Sequence, residues 1–203
     1  MDRYILASQS PRRRELLHAV IPEYDVIPAQ GEEAITASDP AETVEALSLQ
    51  KAVEIAQKVR PCDGDRIIVI GADTVVAVDG EILGKPVDRA DAARMIGLLQ
   101  GREHHVYTGV TVCTVEGSTP KDGGNPEPQY FSFSEETAVD VFPMNRGEIE
   151  GYVSLEEPYD KAGAYGIQGA FSIFIRGIRG DYNNVVGLPA ARLYHELAAR
   201  GLV

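Results

Sequence analysis

The thirteen residues Arg66–Val78, RIIVIGADTVVAV, constrain the fold more than any other stretch. A run this rich in β-branched side chains reads as a strand. Asp79-Gly80 follows, a pair that favours a two-residue hairpin, and EILGKP (Glu81–Pro86) reads as the returning strand. One acidic side chain, Asp73, interrupts the apolar run. Burying an unpaired carboxylate is costly, so Asp73 needs a partner, a metal or a raised pKa. It could accept backbone N–H groups in a turn after Gly71. It could also meet Lys85. Ideal pleating sets Lys85 opposite Thr74, so a bulge at Gly84 or local twist would be needed to bring the ammonium to Asp73.

Strand and helix patterns alternate around this run. Tyr4–Ala7 reads as a strand and about Pro11–Ala19 as a helix, followed by the extended YDVIPA and the acidic turn QGEEA. The long helix DPAETVEALSLQKAVEIAQKV has Asp39 as cap, Pro40 in first place and Glu42 completing a capping-box pattern. DRADAARMIGLLQG is a helix capped by Asp88 and stopped at Gly101. HHVYTGVTVCTV and QYFSFSEETAVDVF form a long antiparallel pair, separated by a Gly- and Pro-rich surface loop over about 117–128. NRGEIEGYVS is a short helix with Asn145 as cap, and DKAGAYGIQG a glycine-spaced loop. AFSIFIRGI reads as a strand and LPAARLYHELAAR as the last helix. The interleaving predicts an α/β fold with a mixed sheet. The chain's 203 residues suit one domain, compact or divided into two small lobes.

A formal net charge of −12 argues against general binding to nucleic acid or an anionic membrane. Cys62 and Cys113 read as two reduced thiols, and the four histidines form no zinc motif, with a structural role expected for His104–His105. There is no apolar stretch of bilayer length and no signal-peptide pattern at the start, so a cytoplasmic protein is expected.

Against this acidic background, SPRRRELL stands out. With Ser10 as cap and Pro11 in first place, Arg12, Arg13 and Arg14 fill the first helical turn, where acidic side chains are favoured. Arg14 reads as a solvated surface charge. Arg12 and Arg13 directly follow a strand end, where an anion would meet free N–H groups and guanidinium forks. Ser8 and Ser10 could add hydroxyl donors. Glu32 and Glu33 form either a solvated turn or, with Asp73, a site for Mg²⁺. Lys51 is either an ordinary surface lysine or lies at the border of the buried face of its helix. In DKAGAYGIQG, the glycines let backbone approach a ligand and Gln168 offers an acceptor and two donors.

Taken together and in order, LASQSPRRRELL, EE, QKA, GADTVV, GKP, DKAGAYGIQG and NNVVGLP resemble the Maf family of nucleoside triphosphate pyrophosphatases, first named for an effect on bacterial septum formation. The resemblance runs from Tyr4 to the last helix, and the loop near Gly117–Pro128 is longer than the family's usual connection. It implies an elongated two-lobed α/β fold around a central cleft, like that of inosine triphosphatases. It also implies a divalent metal (Mg²⁺, with Mn²⁺ or Co²⁺ as alternatives) and hydrolysis of a nucleoside triphosphate to the monophosphate and pyrophosphate. By motif, Asp73 is the proton acceptor, and Glu33, Lys51 and Lys85 are site residues, with Glu33 and Asp73 toward the metal. Arg12, Thr74 and Gln168 match positions tied to substrate choice. Ser8, Ser10, Arg13 and Lys161 match phosphate or site contacts. A homodimer is also in keeping with the family.

An amide at Gln168 can donate to O4 and accept from N3–H of uracil or thymine, and KAGAYGIQG resembles the branch acting on dTTP and UTP, sometimes on modified pyrimidines. The expectation is a dTTP/UTP pyrophosphatase guarding the nucleotide pool. The alternative is a nucleotide-binding regulator of cell division with little turnover.

Overall fold

A computed structural model describes residues 2–31, 38–62, 64–117 and 128–203. Among these residues, seven strands form one mixed sheet. The first strand, β1 (Asp2–Leu6), runs parallel to β2 (Asp25–Val26) and to β3 (Arg66–Val78). On the other side of β3 lie the antiparallel β5 (Glu103–Glu116), β6 (Gln129–Val141) and β7 (Ile175–Arg179). The short β4 (Glu81–Leu83) returns from the Asp79-Gly80 hairpin, with Val78 opposite Glu81. Asp79 and Gly80 both adopt positive φ, at 51° and 79°, as a two-residue turn of this type requires.

Helix α1 (Pro11–His18) follows β1, and α2 (Pro40–Ala56) precedes β3. The remaining helices are α3 (Arg89–Leu99), α4 (Arg146–Tyr152), α5 (Tyr182–Val186) and α6 (Ala190–Ala198). Four caps are as expected. Ser10, Asp39, Asp88 and Asn145 each accept the backbone N–H three residues on, and Asn145 forms a reciprocal capping box with Glu148.

Side chains alternate along β3, so its two faces differ in role. Ile67 and Val69 join Ala52, Ile55 and Ala56 of α2 in one apolar cluster. Ile68, Ile70 and Ala72 meet Leu17, Leu193 and Leu197 on the opposite face. Further along that second face, Val76 and Val78 enter a third cluster with Ile96, Leu99, Tyr165 and Phe171. Helix α2 lies close on the sheet because two facing positions are glycine. A Cβ at Gly71 would stand 2.4 Å from Ser48 O, and one at Gly109 2.2 Å from Val44 O.

Pairing on the outer side of β3 is interrupted. β1 covers Arg66–Ile70 and β4 covers Val76–Val78. The Ala7 N–H to Ile70 O bond of 2.8 Å ends the first stretch. Positions 71–75 have no strand on that side among the described residues. At ~3.3 Å per residue the opening is roughly 17 Å long.

Two expectations need correction, and one helix had none. The return strand stops at Leu83 instead of running through GKP. AFSIFIRGI is a strand only from Ile175. Ala170–Phe174 is a 3₁₀ turn, because the fully buried Phe171 packs on Tyr152, Tyr165 and Phe174 instead of extending. NNVVGLP contains the short helix α5, with Asp181 as its cap.

His104 is fully buried in β5, with Nε2 2.8 Å from the Tyr165 hydroxyl. Burial, then the charges of His105 and Arg102, pull its pKa down to about 4, against a weaker upward pull from Asp140. Above the unfolded value near 6.5 both states are neutral and its stabilising contribution is complete. As pH falls from there to about 4, only the unfolded chain takes up the proton and stability is lost. At roughly 1.4 kcal/mol per pH unit, the loss is about 3 kcal/mol. Urea titrations between pH 7 and 4 should show this slope, and His104→Gln should flatten it. An equally steep His104→Gln profile would assign the slope to other groups.

Candidate active site

The site forms around the 71–75 opening, where α1 begins beside the end of β1. Ser8 Oγ accepts the Ser10 N–H at 3.3 Å, and Ser10 Oγ accepts the Arg13 N–H at 3.4 Å. No acidic residue occupies the first turn of α1. Its three arginines diverge. Arg14 is exposed. Arg13 turns inward and donates from Nε to Gly187 O at 2.8 Å, from Nη2 to Thr74 Oγ1 at 3.0 Å and from Nη1 to Ser8 Oγ at 3.4 Å. One guanidinium thereby ties the end of β1 to β3 and to the loop between α5 and α6.

A chain of hydroxyls runs inward from this arginine. Thr108 Oγ1 donates to Asn184 O at 3.0 Å, which uses its one proton. Thr74, 2.9 Å away, therefore donates to Thr108 and accepts from Arg13. The fully buried Asn184 holds α5 in place through Nδ2, which donates to Val106 O at 3.0 Å and to Thr137 Oγ1 at 2.9 Å.

Asp73, the next residue along β3, points to the other face. Its carboxylate pairs directly with Lys51 of α2, and both side chains are nearly enclosed. The partner of Asp73 is thus Lys51 and not Lys85. Lys85 is exposed and makes no hydrogen bond or ion pair among the described residues. Its neighbour Gly84 accepts the Gly163 N–H at 3.0 Å, which joins the hairpin to the glycine-spaced loop. That loop presses on the border of the opening, since a Cβ at Gly163 would lie 2.8 Å from Val76 Cγ2.

Arg12 reaches the same loop. Its Nη1 lies 3.4 Å from Asp160 Oδ2, and Lys161 Nζ bonds Asp160 Oδ1 at 2.5 Å and Glu157 O at 2.7 Å. Burial raises the Asp160 pKa, but the bond from Lys161 and the charges of Lys161 and Arg12 outweigh it, and the net shift is downward. Gln168 sits exposed in the turn closed by the 3.3 Å bond from Gly169 N–H to Gly166 O. Ser8, Arg13 and Thr74 are therefore in direct contact, as are Lys51 and Asp73. Arg12 and Lys161 meet through Asp160, while Ser10 serves as the helix cap. Glu32 and Glu33 lie outside the described residues, as does the loop over 118–127.

Thr108, Asn184, Gly187 and Glu157 also build the site, although sequence patterns give them no role. The NNVVGLP motif was the available signal for Asn184 and Gly187. Among the described residues no three His, Cys, Asp or Glu side chains gather into a metal cluster. Asp73 still fits a hard divalent cation. Its oxygens are the hard donors such a cation takes, and Lys51 holds Oδ1.

A family model described as "Maf-like protein" matches residues 3–200. The dTTP/UTP pyrophosphatase of Agathobacter rectalis is 49% identical, covering 100% of this chain and 99% of its own length. That of Carboxydothermus hydrogenoformans is 45% identical, covering 97% of each. That of Symbiobacterium thermophilum is 46% identical, covering 99% of this chain and 95% of its own. Among solved structures, the Staphylococcus aureus Ham1 protein aligns with a TM-score of 0.40 at 14% identity over 97% of this chain and 100% of that one, too slight a likeness to argue from. Among the described residues no helix is long and apolar enough to cross a membrane.

Proposed function

Since the chain belongs to the Maf family, we propose that it hydrolyses dTTP and UTP to the nucleoside monophosphate and pyrophosphate, removing these or modified pyrimidine nucleotides from the pool. The observation that carries the reading is the placement of a nearly enclosed Lys51–Asp73 pair and an inward-held Arg13, bonded to the adjacent Thr74, at one opening in the sheet. The relatives' shared name supplies the substrates.

Cleavage between the α- and β-phosphates requires charge to be offset on a departing pyrophosphate. Arg13 meets phosphate oxygens from a position fixed by three bonds. Arg12, Lys85 and Lys161 add cationic groups around the rim. Asp73 accepts the proton of the attacking water, with Lys51 holding its carboxylate in place. Asp73 would help hold a divalent cation, and the family pattern alone adds Glu33. When bound, the cation supplies charge neutralisation and a more acidic water. Mg²⁺ suits carboxylate, phosphate and water oxygens.

Steady-state assays over a panel of nucleoside triphosphates, with the products identified, test the proposal. Pyrophosphate with dTMP or UMP is expected. Orthophosphate as the product would make the protein a phosphatase, and tight binding without turnover would make it a nucleotide-binding regulator. Gln168→Glu should reduce kcat/KM for UTP about 10- to 100-fold, since a carboxylate has no donor for O4. An unchanged rate would move base selection to another residue.

A further inference from the structure

The segment Gly166–Ala170 has Gln168 at its centre, and a single carboxylate holds both ends. Glu157 Oε2 accepts the Ala170 N–H at 2.8 Å. Glu157 Oε1 accepts the Tyr152 hydroxyl at 3.1 Å, and Gly166 lies against this pair, an added Cβ there standing 3.3 Å from Glu157 Oε1. Between these anchors, the Gly169 N–H to Gly166 O bond closes a turn with Gln168 in third place. The glycines leave room for the clamp. A Cβ at Gly169 would stand 2.1 Å from Glu157 Oε2, and one at Gly166 2.8 Å from Lys161 Cε. Ile167 and Phe171 are buried on either side, in the cluster that includes Tyr152. Gln168 is exposed between them.

We infer that Glu157 is a positioning residue for base selection, acting through the turn that presents Gln168 and not on the nucleotide itself. The inference rests on the reading that Gln168 meets the base. Both carboxylate oxygens act as acceptors here, and each faces a donor. A glutamine at 157 has one acceptor oxygen, so with that oxygen on the Ala170 N–H its NH₂ faces the Tyr152 hydroxyl, whose proton loses its acceptor and whose hold on the Gly166 end weakens.

The test is a double-mutant cycle on the full chain, reading kcat/KM for UTP and for GTP. Glu157→Gln should lower the UTP-over-GTP ratio roughly tenfold, within the hundredfold that a displacement of about 1 Å can cost. The change should fall on the KM for UTP, with kcat near that of the unmutated protein. Tyr152→Phe frees only the Gly166 end and should act in the same direction. In a Gln168→Ala background neither substitution should change the ratio further. If Gln168→Ala lowers the ratio but Glu157→Gln leaves it unchanged, the positioning role is wrong. An equal drop in the Gln168→Ala background would also overturn it, by showing a general structural effect. If Gln168→Ala itself leaves the ratio unchanged, base reading by Gln168 fails and takes this inference with it. Should Glu157→Gln not fold, Tyr152→Phe decides by the same criteria.

Discussion

Asp73→Asn should lower kcat for pyrophosphate release by about 10²- to 10⁴-fold, the range expected when a positioned proton acceptor is removed. An amide is nearly the same size, and its oxygen can still accept from Lys51 Nζ. The fold around α2 and β3 should therefore survive, and KM should change far less than kcat. Lys51, whose side chain is nearly enclosed, would lose the charge of its Asp73 partner, which costs stability. Steady-state kinetics and a melting curve on the same preparation separate the two effects. A folded Asp73→Asn protein with kcat within tenfold of the original would assign the proton to a different acceptor.

Gly109→Ala should destabilise the protein by about 3 kcal/mol, at the upper end of overpacking costs. The added methyl would meet Val44 O at 2.2 Å, Val44 C at 2.3 Å and Glu45 N at 2.7 Å. All three are backbone atoms of α2, so no side chain can swing aside and the helix itself must lift. Lys51 rides on that helix, so kcat should fall together with stability. Gly97→Ala is the matching control. That glycine lies inside α3, a Cβ there meets nothing within 4 Å, and alanine should add roughly 0.5–1 kcal/mol. Urea unfolding of the two variants compares them. A Gly109→Ala protein as stable as the original would mean that α2 does not rest on the sheet as closely as described.

Local chemistry explains why much of the fold was legible in the sequence. Ser10, Asp39, Asp88 and Asn145 cap helices by bonding to residues three positions away, and Asp79-Gly80 turns the chain by its own φ angles. The misread elements depend on distant partners. Ala170–Phe174 has a strand-like composition, but the aromatic neighbours of Phe171 draw it into a turn. The pairing of Asp73 with Lys51 depends on how α2 crosses the sheet, and neither pleat nor hairpin register reports that. Lys85 was the natural candidate because it is near in sequence and follows the hairpin. Arg12 and Arg13 stood out together because a basic first turn opposes the helix dipole, but nothing local told Arg12, which reaches Asp160, from the inward Arg13. Its acceptor Gly187 lies 174 positions away and left no local trace.

Because Asp73 and Thr74 are consecutive on one strand, the Lys51–Asp73 pair and the Arg13 guanidinium are built from opposite sides of the sheet. The glycine-spaced loop that carries Gln168 rests on Val76, on the same side as Arg13. On the proposed roles, a lineage that changes its nucleobase must keep Arg13 in place while it rewrites the loop beside it, whereas the Lys51–Asp73 pair on the other flank is left alone.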